Sequence, residues 1–207
     1  MHNGIDVRRF QQVLHNKSTR KEWGIAPSDF VIGFIGRLEE QKGITYLLQA
    51  IEKLNCSFSH LKVVIVGEGS LSGQFLVQAI SLRLTNVRFT GFQRDTPKFL
   101  GMFDVFVLPS LFEGLPVSAI QAMAAGLPVV ASRVGGIEEV VEHEVTGLLV
   151  EPAHPQELAG ALSRLVENPE RRLKMGEQAR EHAMLRFSAE AMVAKTEGIY
   201  AELLEAS

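Results

Sequence analysis

Cysteine is nearly absent from this chain: among 207 residues there is one, Cys56. A single cysteine excludes an intramolecular disulfide framework and a cysteine-rich zinc site, and it is typical of a reducing compartment. No apolar run approaches the roughly 20 residues that a bilayer-spanning helix needs. The first stretch, MHNGIDVRRFQQ, has no apolar core and does not resemble a secretory signal. These absences predict a cytoplasmic protein.

An excess of charge of either sign is also lacking. Lysine and arginine number 21 and aspartate and glutamate 24, so the formal net charge is −3. This balance gives no general case for binding nucleic acid or an anionic membrane. The hydrophobic fraction of 46% and the charged fraction of 22% are typical of a globular domain with a sizeable core. The length suits one large domain.

Short apolar runs alternate with longer amphipathic segments between about residues 30 and 150. The runs typical of strands are VIGFIG, KVVIVG, VRFTG, DVFVLPS, PVVAS and TGLLV. Helical patterns between them cover 44–54, 71–84, 96–101 and 116–125. Near-continuous apolar strands that alternate with helices predict a doubly wound, Rossmann-like parallel α/β sheet.

The pattern becomes purely helical from about residue 155 to 205. We read a helix that starts near Pro155, a break at Asn168-Pro169, and two further helices over 171–185 and 189–204. No fixed-period repeat and no low-complexity linker interrupts the chain. We therefore predict a single domain over residues 1–207, with a sheet core and a helical tail.

Ligands of open parallel sheets bind beyond the carboxyl ends of the strands, so the residues after each strand are the site candidates. The segment GRLEEQKG follows the first strand and offers Gly36 for a turn, with Arg37 and Lys42 near a helix start. Helix N-termini attract phosphate, and arginine and lysine add contacts to phosphate oxygens. Two solvated surface cations would give the same pattern.

The segment SLFEGLPVSAIQ follows the strand in DVFVLPS. Glu113 and Gly114 lie on a loop, and Pro116 stands at a first helical position. The N–H groups of Leu115 and Val117 would face an anion there, and Glu113 would accept hydrogen bonds from hydroxyls. Alternatively, Glu113 only favours the helix dipole.

Two further features of the sequence bear on the ligand. Gly135-Gly136, after PVVAS, permits a close backbone approach to a ligand, although a simple turn has the same signature. GEGSLSG lacks the G-x-G-x-x-G spacing, which disfavours a dinucleotide site. No D-x-D and no His/Asp/Glu cluster with metal-ligand spacing occurs, so we expect neither a metal nor a cofactor.

An ordered series of motifs resembles the C-terminal half of the "group one" family of retaining GT-B glycosyltransferases. The likeness runs from Asn3 to Leu204. The segments that carry it are NGID…F, GRLEEQKG, VGEG, VRFTGF, DVFVLPSLFEGLPVSAIQAMAAGLPVVAS, VGGIEEVVEHEVTGLLVEP and MGEQAR. The order of these segments is far more specific than any one of them.

The resemblance implies that the chain binds the donor, a nucleoside-diphosphate sugar. Arg37 and Lys42 match the pair that stabilises the leaving diphosphate, and the segment around Gly91 and Phe92 looks like the base-contacting loop. Glu113 matches the glutamate that contacts sugar hydroxyls. The remaining donor-binding positions implied are Gly36, Gly114, Leu115, Pro116, Val117, Gln121, Gly135 and Gly136.

The chain departs from the family pattern at one position of the E-x7-E motif. The second glutamate, which holds the ribose hydroxyls, is here Gln121. A carboxylate accepts hydrogen bonds from both hydroxyls, whereas an amide has one acceptor oxygen. We expect weaker donor binding rather than lost chemistry.

The second departure is that the family's N-terminal acceptor domain is absent, which suggests a fragment or a truncated gene product. We expect the chain alone to bind nucleotide and to transfer sugar slowly or not at all. Peripheral membrane contact is expected only through the absent domain, and self-association through the apolar face of the last helix. The alternative function is a non-catalytic nucleotide-sugar-binding or interaction module. A GT-B sugar-nucleotide epimerase is disfavoured by GRLEEQKG and the E-x7-E-like segment.

Overall fold

A parallel β-sheet forms the centre of the chain. The structure is a computed structural model that describes residues 4–11 and 17–205. Within those residues the six strands are β1 (Phe30–Ile35), β2 (Leu61–Val66), β3 (Val87–Phe89), β4 (Val105–Leu108), β5 (Val129–Ser132) and β6 (Gly147–Val150). Their order is β3-β2-β1-β4-β5-β6, and every neighbouring pair is parallel. The predicted doubly wound α/β fold is confirmed.

Helices cover both faces of this sheet. They are α1 (Arg8–Gln11), α2 (Lys17–Glu22), α3 (Ile44–Asn55), α4 (Ser72–Ser81), α5 (Thr96–Leu100), α6 (Val117–Ala124), α7 (Ile137–Val140), α8 (Pro155–Glu167), α9 (Pro169–Phe187) and α10 (Ala189–Glu205). A short 3₁₀ turn spans Glu40–Lys42. Three of the α-helices, α1, α2 and α7, were not predicted. No helix among the described residues is long and apolar enough to cross a membrane.

The start of α9 differs from the prediction. The helix begins at Pro169, not at Arg171, because proline is compatible with the first helical position and does not break the helix there. Asn168 caps this start, since its side chain accepts a hydrogen bond from the Arg171 amide at 2.9 Å. The predicted break is therefore a helix cap.

The strands read as continuous apolar runs because helices cover both of their faces. All six residues of β1 are buried, and β1 pairs with β2 along its whole length, from Phe30 opposite Leu61 to Ile35 opposite Val66. Gly33 is required within β1, because a Cβ there would lie 2.0 Å from the Phe103 ring. Full burial of one such apolar side chain stabilises the fold by roughly 1.5–3 kcal/mol.

The carboxyl-terminal helices pack onto this core. Helix α8 packs against α3, and α9 packs against α6. Helix α10 keeps several large apolar side chains exposed: Val193, Ile199, Tyr200 and Leu204.

The strand order creates a switch point between β1 and β4. From β1 the chain proceeds to β2 and β3 on one side, and from β4 to β5 and β6 on the other. The loops that follow β1 and β4, residues 36–43 and 109–116, therefore leave the sheet side by side. In open α/β sheets the crevice at such a point is where ligands bind.

Candidate functional site

The loops that follow β1 and β4 are held together by their backbones. Gly43 has φ +66°, and a Cβ there would lie 1.9 Å from the Pro109 carbonyl oxygen, so only glycine fits. The Leu111 amide donates to the Gln41 carbonyl at 2.8 Å, and the Gln41 side-chain amide donates to the Phe112 carbonyl at 2.9 Å. The sequence did not point to Gln41 as part of the site.

Lys42 and Glu113 form an ion pair at the junction of these two loops. The Lys42 ammonium is hydrogen-bonded to Glu113 Oε1, and the Ser110 hydroxyl donates to the same oxygen at 2.8 Å. The Glu113 side chain is 6% exposed and that of Lys42 17%. Sequence reasoning placed both residues at the site but did not predict that they pair, and it missed Ser110. The position of Ser110, a polar residue two places after a buried strand, was the available signal.

Arg37 lies on the other side of the same loop, beside a cavity of about 420 Å³. Gly36, Arg37 and Phe92 line this cavity, with Ile35, Val66, Gly67, Glu68, Gln93 and Thr96. Arg37 is exposed and makes no ion pair with the residues that the structure describes, and Phe92 is 61% exposed. A free guanidinium and an open aromatic ring thus face one cavity.

Gly135 and Gly136 pack against the backbone of the Glu113 loop. A Cβ at Gly135, where φ is +45°, would lie 2.2 Å from the Glu113 carbonyl oxygen, and one at Gly136 would lie 1.8 Å from that of Gly114. The Gly136 amide also donates to the Glu113 carbonyl at 3.2 Å. The close backbone approach expected at these glycines is therefore made to the Glu113 loop.

The start of α6 differs in detail from the expected anion site. The Val117 amide donates to the Leu115 carbonyl at 3.0 Å, and Pro116 has no N–H. Of the two N–H groups that were expected to face an anion, the one of Val117 is therefore engaged within the turn. Gly114 is exposed beside it and leaves the loop open to solvent.

Gln121 lies one helical turn beyond Val117 on the same face of α6. Its side chain is partly buried and has no hydrogen-bond partner among the residues that the structure describes. No hydrogen bond in that part of the chain links Gln121 to Glu113. The amide is therefore open to an external partner.

The residues brought together suit a polyanion joined to a polyol. Arg37 and Lys42 supply positive charge, Glu113 supplies a carboxylate acceptor, and the cavity beside Phe92 is lined largely by apolar groups. Across residues 4–11 and 17–205, no group of three or more His, Cys, Asp or Glu side chains is placed to hold a metal ion.

Comparison with known proteins identifies the family of the chain. A family model described as "Glycosyl transferases group 1" matches residues 15–182. An uncharacterised glycosyltransferase of Methanocaldococcus jannaschii is 33% identical over 211 residues, which cover 99% of this chain and 54% of that protein. A D-inositol 3-phosphate glycosyltransferase of Corynebacterium jeikeium is 35% identical over 214 residues, 97% of this chain and 50% of that protein. The chain thus spans about half the length of the curated relatives it matches.

Solved structures give the same result. The Anabaena protein HepE, in complex with UDP and glucose, superposes with a TM-score of 0.86 at 28% identity, over 100% of this chain and 56% of that one. The C-terminal domain of a glycosyl transferase group 1 family protein (LpcC) from Francisella tularensis superposes with a TM-score of 0.81 at 23% identity, over 89% of this chain and 99% of that one. The motif series, the fold and the family match therefore agree: this chain belongs to the glycosyl transferases group 1 family, with the fold of the C-terminal domain of a GT-B glycosyltransferase.

Proposed function

We propose that the chain binds a nucleoside-diphosphate sugar in the crevice between β1 and β4, as the donor half of a retaining glycosyltransferase. The observation that carries this proposal is that Arg37 and the Lys42–Glu113 pair lie on the two loops that leave the sheet side by side at the switch point. The HepE structures with UDP and with UDP-glucose support this choice of donor class.

The site residues divide between the parts of such a donor. Arg37 and Lys42 hold the diphosphate, because one guanidinium and one ammonium neutralise the charge that grows as the sugar–phosphate bond breaks. Lys42 has three N–H donors and gives one to Glu113, which leaves donors for phosphate oxygens. Glu113, fixed by Ser110, accepts hydrogen bonds from sugar hydroxyls.

The nucleoside occupies the cavity beside Arg37. Phe92 offers its exposed ring to the base, and Gln121 faces the ribose hydroxyls. Gly36, Gly114, Leu115, Pro116, Val117, Gly135 and Gly136 shape the backbone around the donor. The N–H of Leu115, which the turn leaves open, contributes to phosphate binding.

The reaction transfers the glycosyl group to an acceptor hydroxyl with retention at the anomeric carbon and releases the nucleoside diphosphate. An N-terminal domain, which the relatives' extra length accommodates, binds the acceptor. The 207-residue chain alone therefore binds nucleotide but transfers sugar slowly or not at all, and it needs no metal. Rapid transfer to an acceptor by the isolated chain, or a loss of nucleotide binding in EDTA, would contradict these two statements.

Gln121 favours a second candidate function, a non-catalytic nucleotide-sugar-binding or interaction module. The amide weakens the ribose contact, and a chain that has lost turnover tolerates such a change. The two functions differ in whether sugar is transferred once an acceptor domain is supplied in trans.

The primary test is a thermal-shift screen of UDP, GDP and ADP with their sugar conjugates, followed by calorimetry on the best ligand. A specific ligand raises the midpoint of thermal unfolding by mass action. Arg37→Ala should weaken binding of the best nucleotide about tenfold, the equivalent of one charge-assisted contact.

The matched control for this screen is Lys174→Ala. Lys174 is an exposed cation on α9, away from both loops, so its removal changes the net charge by the same amount and should leave affinity unchanged. The proposal fails if no nucleotide stabilises the chain, or if Arg37→Ala binds as the unaltered chain does.

A further inference from the structure

The loop that carries Arg37 and Lys42 is held on its second side by the loop after β2. Leu38 donates its amide to the Glu68 carbonyl at 2.9 Å, and its own carbonyl accepts from the Leu71 amide at 3.1 Å. Gly69 makes this contact possible, because a Cβ there would lie 2.4 Å from the Leu38 carbonyl oxygen. The loop after β1 is thus clamped between the loops after β2 and β4.

One side chain, that of Glu39, completes the clamp on the β2 side. Its carboxylate accepts two hydrogen bonds from Ser70, one from the amide at 3.0 Å and one from the hydroxyl at 2.6 Å. These bonds, the hydroxyl first, lower the pKa of Glu39 and so favour its charged form. The link joins two loops that are 31 residues apart in sequence.

Glu39 lies between the two cations in sequence, two residues after Arg37 and three before Lys42. Lys42 is itself fixed on the opposite side by Glu113 and Ser110. Arg37, by contrast, has no ion-pair partner in the described chain, although its charge helps to lower the pKa of Glu39. The direction of its side chain therefore depends on the backbone on which it stands and on the nearby Glu39 carboxylate. The Glu39–Ser70 link fixes this backbone on the β2 side, as the Gln41 side chain does on the β4 side.

We infer that Glu39 is a positioning residue that, through its hydrogen bonds to Ser70, holds Arg37 and Lys42 in the geometry that grips the donor diphosphate. This inference rests on the proposed function. It also predicts whether removal of Glu39 tightens or weakens diphosphate binding. A carboxylate close to a bound diphosphate repels it, so charge alone predicts that removal of Glu39 tightens binding. Positioning predicts that removal weakens it.

The test is calorimetry of the best-bound nucleoside diphosphate with four single variants. Glu39→Ala should weaken binding about fivefold, the equivalent of one hydrogen bond, despite the loss of a negative charge. Ser70→Ala, which changes no charge, should weaken binding about threefold, and Ser70→Thr, which keeps the hydroxyl, should bind as the unaltered chain does. Glu40→Ala removes an exposed carboxylate one residue away and should bind equally or more tightly.

Double variants separate positioning from a general loss of structure. Glu39→Ala with Ser70→Ala should bind no worse than Glu39→Ala alone, because the two residues form one link. Glu39→Ala should also cost less in an Arg37→Ala background than in the unaltered chain, which a merely structural defect would not produce.

The outcomes are distinguishable from those that test the proposed function. If the unaltered chain binds no nucleoside diphosphate, the proposed function fails. If it binds, and Glu39→Ala and Ser70→Ala both bind as tightly as the unaltered chain or more so, the positioning role alone is overturned. Should Glu39→Ala fail to fold, as shown by circular dichroism, the Ser70 pair of variants decides the question.

Discussion

Two partly buried ion pairs stand at opposite ends of the β1–β4 strand pair, and they differ in how many of their hydrogen-bonding groups are used. Arg20 and Asp104 lie at the end where β4 begins, and their side chains are 11% and 16% exposed. Lys42 and Glu113 lie at the end where β4 finishes, with 17% and 6% exposed. Burial alone does not distinguish the two pairs.

The Arg20–Asp104 pair is tied to the backbone around it. Arg20 donates to Asp104 at 2.8 Å, and also to the carbonyls of Met102 at 3.0 Å and Asp29 at 3.1 Å. Asp104 accepts in addition from the Val31 amide at 2.7 Å. Such a pair fixes the chain around the start of the strands, because it binds two backbone carbonyls and one backbone amide.

The Lys42–Glu113 pair keeps spare capacity. Among the described residues, Ser110 is the one further side chain that bonds to the pair. In the same part of the chain, the backbone hydrogen bonds of the two loops do not reach the charged atoms. Two lysine donors and one carboxylate oxygen remain for a ligand. The comparison teaches that bonds to the surrounding backbone, more than burial or charge, distinguish a structural pair from a candidate binding pair.

The largest expected effect is on stability, when the Arg20–Asp104 pair is broken. Arg20→Ala leaves the Asp104 carboxylate partly buried without its cation and two backbone carbonyls without their donor. We expect the free energy of unfolding to fall by about 3 kcal/mol. Urea denaturation measures the loss, and calorimetry should show unchanged nucleotide affinity in the folded variant.

The matched control for Arg20 is Arg8→Ala. Arg8 pairs with Glu190 at 2.7 Å, but the two side chains are 76% and 59% exposed. A solvent-exposed pair contributes at most about 1 kcal/mol, because water screens it. Equal losses of stability in the Arg20 and Arg8 variants would break the comparison.

The next effect is on affinity, at the pair with spare capacity. Lys42→Met keeps most of the side-chain volume but removes the charge, and we expect nucleoside-diphosphate binding to weaken by about 2 kcal/mol, roughly thirtyfold. The free energy of unfolding should fall by less than in Arg20→Ala, because Arg20 also donates to two backbone carbonyls and the Lys42 ammonium donates to none that the structure describes. Calorimetry and urea denaturation on the same preparation measure the two effects.

The Lys42 result has its own control in Lys174→Met, an exposed lysine on α9. That variant should match the unaltered chain in both measurements. If Lys42→Met lowers stability as much as Arg20→Ala and leaves affinity intact, the Lys42–Glu113 pair is structural.

The fold could be predicted because strands buried on both faces leave a strong signal. VIGFIG and KVVIVG are nearly continuous apolar runs, and each matches an observed strand within one residue. The short helices α1, α2 and α7 were missed because four to six residues do not establish a helical period. The α9 boundary was misplaced because Pro169 was read as a break.

The residues of the candidate site could be named from the sequence, but the contacts between them could not. The rule that ligands bind after parallel strands pointed to Arg37, Lys42 and Glu113 without a structure. The Lys42–Glu113 pair joins residues 71 apart, so its formation depends on β1 and β4 being neighbours, which the strand order alone decides. The Glu39–Ser70 link depends in the same way on β1 lying beside β2.

The smallest expected effect is on nucleotide affinity, in a variant that adds a hydrogen-bond acceptor to the crevice. Gln121→Glu replaces an amide by a carboxylate that accepts from both ribose hydroxyls, so nucleotide affinity should rise by about 1 kcal/mol, roughly fivefold. Gln178→Glu, a partly buried glutamine on α9, controls for the added charge and should change nothing. Nucleotides that lack the ribose hydroxyls should show no higher affinity for Gln121→Glu than for the unaltered chain. If affinity stays equal or falls, Gln121 does not face the ribose, and the open amide on α6 has another partner.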